Sequence, residues 1–468
     1  MCYNIIIMSH SSSSAGEAYG SPTLMTVARL LTCLIPVKSW RKSARRALIN
    51  RIQRRWLTGL LPAWRAHYDA LAQVYGERVR RGGKLNVLFI VLDVSMFSGE
   101  PVFARMIDSA EFEPTILIVP DVMRESAFAT RRAEKARRIL AARYGERVVV
   151  YADDPAHGEA LIAGAQLAFT SNPYPDQTVP SCGARELGRH ALVVYLSYSY
   201  SGYLMVNVRR LVGRPELSLM WRIMHSNAEA VRHWASGNPH LAPILMVTGY
   251  AKMDRFETLP PPEPHARKKI ILSPHHSIDA VSDGLTLSNF LRYADFFLSL
   301  PDRYPQIDFV FRPHPLLRER LERAGWWGPE KTAAWFDAMA AKANVEYQDG
   351  GDYFRTFAEA DALIHDCGSF LPEYYYTRKP QCYMLKDEAQ RQREFSAFGR
   401  RLLDGTYQAY TEADIVTFIE RTVLGGDDPL APARQVLAET EVCINYPDVT
   451  GRIIDTIRER IFTEGASV

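Results

Sequence analysis

The chain runs to 468 residues, 47% of them apolar, which is enough for two or three domains with cores of their own. Its six cysteines (Cys2, Cys33, Cys182, Cys367, Cys382 and Cys443) are scattered without a C-x-x-C pair. This excludes a zinc-ribbon pattern and a disulfide framework, and it points to a reducing cytoplasm. Charge is uneven: Ala18 to Tyr68 holds ten Lys or Arg and no acid, leaving 46 basic against 53 acidic residues elsewhere. A mildly acidic body with a basic arm speaks against nucleic acid as a partner and for an anionic surface.

Residues 1–22 are Ser-rich and are expected to be disordered. In the next stretch Leu24, Val27, Ala28, Leu31, Leu34 and Ile35 share one helical face, and Pro36 ends that helix. Ser39–Leu61 also reads as helix, with arginines and apolar residues all around it. The apolar stretch Leu30–Val37 falls far short of the roughly 20 residues that a bilayer span needs. Residues 23–80 are therefore expected to form a basic helical arm, peripheral on the inner face of the cell membrane. Each basic residue contributes about 1 kcal/mol of attraction to anionic lipid.

At Lys84 the pattern changes to nearly continuous apolar runs of the kind a doubly covered parallel strand shows: Asn86–Leu92, Thr115–Val119, Arg147–Tyr151, Leu167–Thr170, Leu192–Leu196 and Ile244–Thr248. Helical stretches such as Glu125–Tyr144 and Leu217–Ala235 lie between them. A proline-rich linker, Leu259–Pro264, interrupts the series. A second set follows at Lys269–Ser273, Ile307–Phe311, Val345–Tyr347, Ala362–His365 and Gln381–Leu385, then helices at Glu412–Val423 and Val449–Ile461. The expected architecture is α/β: two Rossmann-like domains, 84–258 and 266–425, facing a crevice, with C-terminal helices over 426–468.

Familiar chemical motifs are missing from the sequence. It has no G-x-G-x-x-G after a strand, no P-loop, no H-E-x-x-H, no G-x-S-x-G and no D-x-D. Neither a cofactor nor an obligatory metal is expected. The informative segments are strand ends. Asp366-Cys367-Gly368-Ser369 turns out of an apolar run into a helical stretch, Phe370–Arg378, so backbone N–H groups and a dipole end would face the crevice. Arg312-Pro313-His314-Pro315 ends a neighbouring run, and its two prolines restrict the backbone around His314. Together these suit a phosphate or pyrophosphate. Cys367 as a nucleophile is the weaker reading, because no His-Asp relay accompanies it. One of His275 and His276, which end the first run of the second domain, is expected to face the crevice. Gly249–Asp254 reads equally well as a domain-exit turn or as part of the site. In the first domain Ser98, Asn172 and Tyr198 lie in loops that would face an acceptor, though ordinary loop chemistry explains them as well.

These segments resemble the C-terminal domain of CDP-glycerol glycerophosphotransferases, enzymes of teichoic-acid-like polymer and capsule synthesis. Gly249-Tyr250-Ala251-Lys252-Met253-Asp254 resembles G-Y-P-[K/R]-x-D, and Ser273-Pro274-His275-His276 the family's post-strand segment. Arg312-Pro313-His314-Pro315 resembles R-x-H-P, and Asp366–Ser369 with Lys379-Pro380 resembles D-x-S-S…K-P. The resemblance implies a GT-B fold and transfer of a glycerol-phosphate-like group. The donor would be CDP-linked, the acceptor a lipid-linked or glycan hydroxyl, and the released product CMP. It implies that His314 and Ser369 contact the donor pyrophosphate and that Glu373 meets ribose hydroxyls. The residues expected to be catalytic are His314, Arg312 and His275, and those expected to bind the donor are Gly368, Ser369, Asp366, Glu373 and His276. The family's W-H-G histidine has no counterpart in Tyr195–Gly202, so no general base is assigned. Two rivals stand beside this reading: a GT-B glycosyltransferase using a sugar nucleotide, and a non-catalytic membrane-recruited scaffold.

Overall fold

The computed structural model describes residues 38–123, 126–174, 177–205, 212, 214–279, 285–323 and 325–462. The disordered start over 1–22 and the helix expected at Leu24–Ile35 lie outside them.

The first unit is a seven-stranded parallel sheet: β1 (Leu85–Val91), β2 (Phe112–Ile118), β3 (Val148–Val150), β4 (Leu167–Thr170), β5 (Leu192–Leu196), β6 (Arg222–His225) and β7 (Leu245–Val247), in the order 3-2-1-4-5-6-7. The second is a six-stranded parallel sheet: β8 (Lys268–Ser273), β9 (Ile307–Phe311), β10 (Val345–Tyr347), β11 (Ala362–His365), β12 (Gln381–Met384) and β13 (Tyr407–Ala409), in the order 10-9-8-11-12-13. The fold is thus two Rossmann-like domains of the GT-B kind. Central strands are apolar along their length because helices cover both faces; β4, β5 and β11 are buried throughout. Strand order reverses between β1 and β4 and between β8 and β11. Ligands of open α/β sheets bind at such reversals, beyond the carboxyl ends of the strands.

The structure corrects two expectations, the first at the end of the first sheet. Leu217–Ala235 is not one helix: a 3₁₀ turn at Pro215–Leu219 leads into β6, and helix follows only at Ala228–Gly237. Trp221, Ile223 and Met224 are buried in the sheet, and the Asn227 side chain caps the new helix by accepting from Ala230 N at 2.8 Å.

The helix expected to end at Leu61 continues through Pro62. This helix, α1 (Lys38–Arg80), presents Leu57, Leu61, Tyr68, Ala72 and Tyr75 on one face, at spacings of four, seven, four and three residues, all buried against the first sheet. Trp64 Nε1 and Tyr68 Oη both donate to the Leu219 carbonyl, at 2.9 and 2.8 Å. From Leu57 onward the stretch sketched as an arm is therefore core of the first unit. The last helix, α8 (Val449–Phe462), returns from the second unit to join the same cluster through Ile453, Ile454, Ile457 and Ile461. Asp254 caps it, accepting from Val449 N and Thr450 N at 3.3 and 2.7 Å. The intervening helices used below are α2 (Glu100–Ile107), α3 (Ser126–Tyr144), α4 (Ala228–Gly237), α5 (Phe290–Arg303), α6 (Leu316–Glu322) and α7 (Phe370–Tyr374).

Two outcomes follow for stability. A chain begun at Lys84 strips the α1 face from the sheet and is expected to lose its cooperative melting transition in circular dichroism, whereas one begun at Arg55 keeps it. Asp254→Ala is expected to lower unfolding free energy by about 1 kcal/mol in urea titration, as loss of a helix cap does.

Candidate functional site

Strand ends β8, β9 and β11 bring together the residues singled out in the second unit. His275 and His276 follow β8, His314 follows β9, and Asp366 follows β11. The three imidazoles form a cluster, with ring centroids 4.2 Å apart for His275–His276, 5.0 Å for His275–His314 and 4.0 Å for His276–His314. His275 and His276 are buried, and His314 is half-buried.

Asp366 holds this arrangement from beneath. It has no exposed surface; its carboxylate accepts from His275 N at 2.6 Å and also from Asn289 N, at the start of α5. It is a positioning group, sealed away from any ligand. Burial pushes its carboxyl up to about 7. His275 is driven the other way, well below the usual histidine range, first by burial and then by the neighbouring His314 and His276.

One ring nitrogen from each histidine lies within 4.8 Å of one from the others, so the cluster has the donor count of a metal site. Its hydrogen bonds favour a different use. His275 Nδ1 accepts from Ser277 N (3.2 Å) and His314 Nδ1 accepts from Leu316 N (3.1 Å), each from a backbone N–H two residues on. A metal-ligating histidine donates its second ring N–H instead. With Nδ1 as acceptor, a neutral imidazole carries its proton on Nε2, which makes it a hydrogen-bond donor suited to an oxyanion.

Other expected residues are engaged in the protein. Arg312 is buried, and its guanidinium donates to Gln348 Oε1 (2.7 Å) and the Gly351 carbonyl (2.6 Å), fastening β9 to the loop after β10. Glu373, on α7, is also buried: Tyr353 Oη donates to it at 2.6 Å. Burial raises its carboxyl, while Lys252, Tyr353 and Tyr250 oppose the rise. Lys252 and Tyr250 come from the first unit, so Glu373 sits at the junction of the units. Ser369 has helical backbone angles and makes no side-chain cap; its hydroxyl lies 3.6 Å from Cys367 Sγ. Burial pushes the Cys367 thiol up to about 12, which leaves it no thiolate character near neutrality. A Cβ on Gly368 would meet Leu204, Leu287 and the Tyr203 hydroxyl at 3.1–3.3 Å, so the turn is closely packed.

In the first unit, Ser98, in the loop between β1 and α2, meets Ser171, just beyond β4, at the strand reversal, hydroxyl to hydroxyl at 3.0 Å. Ser98 lines a small cleft with Ser197, Ser226, Thr248 and Tyr250. The Asn172 amide closes its own turn on Tyr174, at 3.0 and 2.9 Å, and the Tyr198 carbonyl accepts from Tyr250 Oη at 3.1 Å. His225 ends β6, but it is fully buried with a pKa lowered to about 3 by burial, and it does not supply the missing base. Sequence reasoning missed Asn289, Tyr353 and Tyr203; the last stands one residue beyond the Tyr195–Gly202 stretch that drew attention.

No protein-family model and no curated protein matches the chain. Among solved structures it is similar to a putative UDP-N-acetylglucosamine 2-epimerase from Listeria monocytogenes, with TM-score 0.53 and 10% identity, covering 81% of this chain and 96% of that one. It is also similar to S. aureus MnaA in complex with UDP, with TM-score 0.52 and 11% identity over 80% and 96% of the two chains. A variant of the wall teichoic acid polymerase TagF aligns with TM-score 0.48 and 11% identity over 81% and 90%. At these identities the likeness is one of fold.

The raised Asp366 pKa has a testable consequence. Between about pH 4 and 7 the unfolded chain releases this proton while the folded chain keeps it, so the group's contribution to stability falls as pH rises through that window. The stability of wild type relative to Asp366→Asn, read by urea titration at pH 4.5 and 7.5, is expected to be lower at the higher pH. A pH-independent difference contradicts the assignment.

Proposed function

We propose that the chain is a transferase that binds a nucleotide-diphosphate-activated donor at the β8–β11 reversal. The donor would be CDP-linked, and a glycerol-phosphate-like group would pass to a hydroxyl of a lipid-linked or glycan acceptor in the synthesis of a cell-surface polymer. The observation that carries this reading is the convergence of His275, His276 and His314 at the carboxyl ends of β8 and β9, with two ring nitrogens set as donors. In the reaction the acceptor hydroxyl gives up its proton, ultimately to solvent, its oxygen bonds to the transferred phosphorus, the bond to the bridging oxygen breaks, and CMP leaves with the added charge. Imidazole N–H donors and the Gly368–Ser369 turn would stabilise that charge, and binding both substrates in one crevice would supply orientation. Arg312 and Asp366 would act through the loops they hold. The basic residues that precede Leu57 are the part proposed to meet an anionic membrane; among the described residues no helix is long and apolar enough to cross one.

A sugar nucleotide is the second reading. It is favoured by the fold likeness to a UDP-N-acetylglucosamine 2-epimerase and to a UDP complex.

A thermal-shift panel of CMP, CDP-glycerol, UDP, GDP and UDP-N-acetylglucosamine in EDTA separates the two. A ligand at about 100 times its dissociation constant adds about 2.7 kcal/mol of stability. Cytidine nucleotides are expected to stabilise wild type without metal, and His314→Ala and Ser369→Ala to lose that response. A response to uridine nucleotides alone transfers the assignment to the second reading. Stabilisation that returns only with magnesium or manganese contradicts metal-free donor binding.

A further inference from the structure

The donor-side residues of the turn and strand ends belong to the second unit. Two side chains of the first unit, Tyr203 and Leu204, nonetheless reach the same turn, and of these only Tyr203 carries a polar group. The segment leaving β5 crosses over and is pinned there. Ser396 N donates to the Tyr203 carbonyl at 2.9 Å, Ser396 Oγ donates to the Gly202 carbonyl at 2.7 Å, and Leu204 forms an antiparallel bridge with Phe395. Close approach is required at this point: a Cβ on Gly399 would lie 2.3 Å from the Tyr203 carbonyl oxygen.

Tyr203 is 2% exposed and packs in a core cluster shared by both units. Its hydroxyl stands against the Asp366–Ser369 turn, 3.3 Å from where a Gly368 Cβ would be. Cys367 and Glu373 act electrostatically on the same hydroxyl. Five neighbouring tyrosines of the junction use their hydroxyls within the protein: Tyr200 on the Val442 carbonyl, Tyr250 on Tyr198, Tyr353 on Glu373, Tyr376 on Val442 and Tyr383 on the Asp366 carbonyl. The sealed Tyr374 hydroxyl has no hydrogen-bond partner among the described residues and does not stand at the turn. Among the described residues the Tyr203 hydroxyl makes no such bond. Burial holds its phenol well above the usual tyrosine range, so it keeps its proton and acts as a donor rather than a base.

We propose that Tyr203 is a donor-site residue supplied by the first unit, its hydroxyl donating a hydrogen bond to a phosphate oxygen of a nucleoside diphosphate seated against the Asp366–Ser369 turn. This rests on the nucleotide-dependent reading above and extends it: the donor site is composite, and phosphate recognition spans both units. A side chain at 368 would crowd this hydroxyl together with Leu204 and Leu287.

The test is isothermal titration of the full chain with CDP-glycerol and with UDP-N-acetylglucosamine, comparing wild type, Tyr203→Phe and His314→Ala, with melting followed by circular dichroism. Loss of a hydrogen bond to a charged oxygen is expected to weaken binding of the active nucleotide about tenfold or more in Tyr203→Phe. The melting midpoint of the free protein should stay unchanged. Wild-type affinity in Tyr203→Phe beside lost binding in His314→Ala overturns the Tyr203 assignment and leaves the transferase reading standing. A lower midpoint with unchanged affinity assigns the hydroxyl to packing and overturns it equally. If wild type binds neither nucleotide, the transferase reading falls and takes this assignment with it.

Discussion

The Asp366 carboxylate, sealed from water at the end of β11, accepts the backbone N–H groups of His275 and Asn289. Through these two bonds the loop after β8 and the start of α5 are fastened to the turn that opens α7. His314 joins the same assembly, since its N–H donates to the Pro274 carbonyl at 2.9 Å, and Ser273 Oγ reaches the Arg312 carbonyl at 2.7 Å. Three strand ends are thus tied into one surface before any ligand arrives. A buried carboxyl is costly, and leaving either N–H unpaired would cost a further 1–3 kcal/mol or so. That cost is borne at the strand reversal, where a preorganised surface has most use.

The two units are joined by more than the exposed proline linker. Tyr200, Tyr203, Leu204, Tyr250 and Met253 of the first unit share a core cluster with Phe354, Tyr374, Tyr383 and Phe398 of the second. The segment Gly249–Asp254 works as the joint. Gly249, at φ +95°, lets the Ile444 carbonyl approach to where any Cβ would stand, Tyr250 and Lys252 meet Glu373, and Asp254 caps α8 as it returns. Arg255 extends the joint to Asp352, with Glu100 on α2 nearby, and Glu100 is in turn held by Arg143 and Tyr144 of α3. An apolar interface of this kind fixes the relative position of two domains far more firmly than a linker does. The relative position of the two units is therefore largely fixed by packing.

Most strands were legible because a doubly covered parallel strand has nowhere to place polar residues, and Leu167–Thr170, Leu192–Leu196 and Ile307–Phe311 coincide with their apolar runs. The strand β6 was not, because Arg222–His225 is short and adjoins residues that extend a helical pattern; the Asn227 cap was the signal that marked the boundary. Among site residues the sequence showed which strand end each occupies but not which way it is spent. Arg312 and Glu373 looked free to meet a ligand, yet their partners Gln348, Gly351, Tyr353 and Lys252 come from other loops and from the other unit. The Tyr203 placement depends on an inter-unit bridge to Phe395 that no local pattern encodes.

Donor binding as proposed rests a phosphate on the surface built by His275, His276, His314 and the Asp366–Ser369 turn. A crystal structure of the full chain grown with CDP-glycerol and EDTA addresses it directly. Phosphate oxygens are expected within hydrogen-bond distance of a ring nitrogen of His314 and of the Gly368–Ser369 backbone. A nucleotide lodged elsewhere, with its phosphates remote from all three histidines, would contradict it.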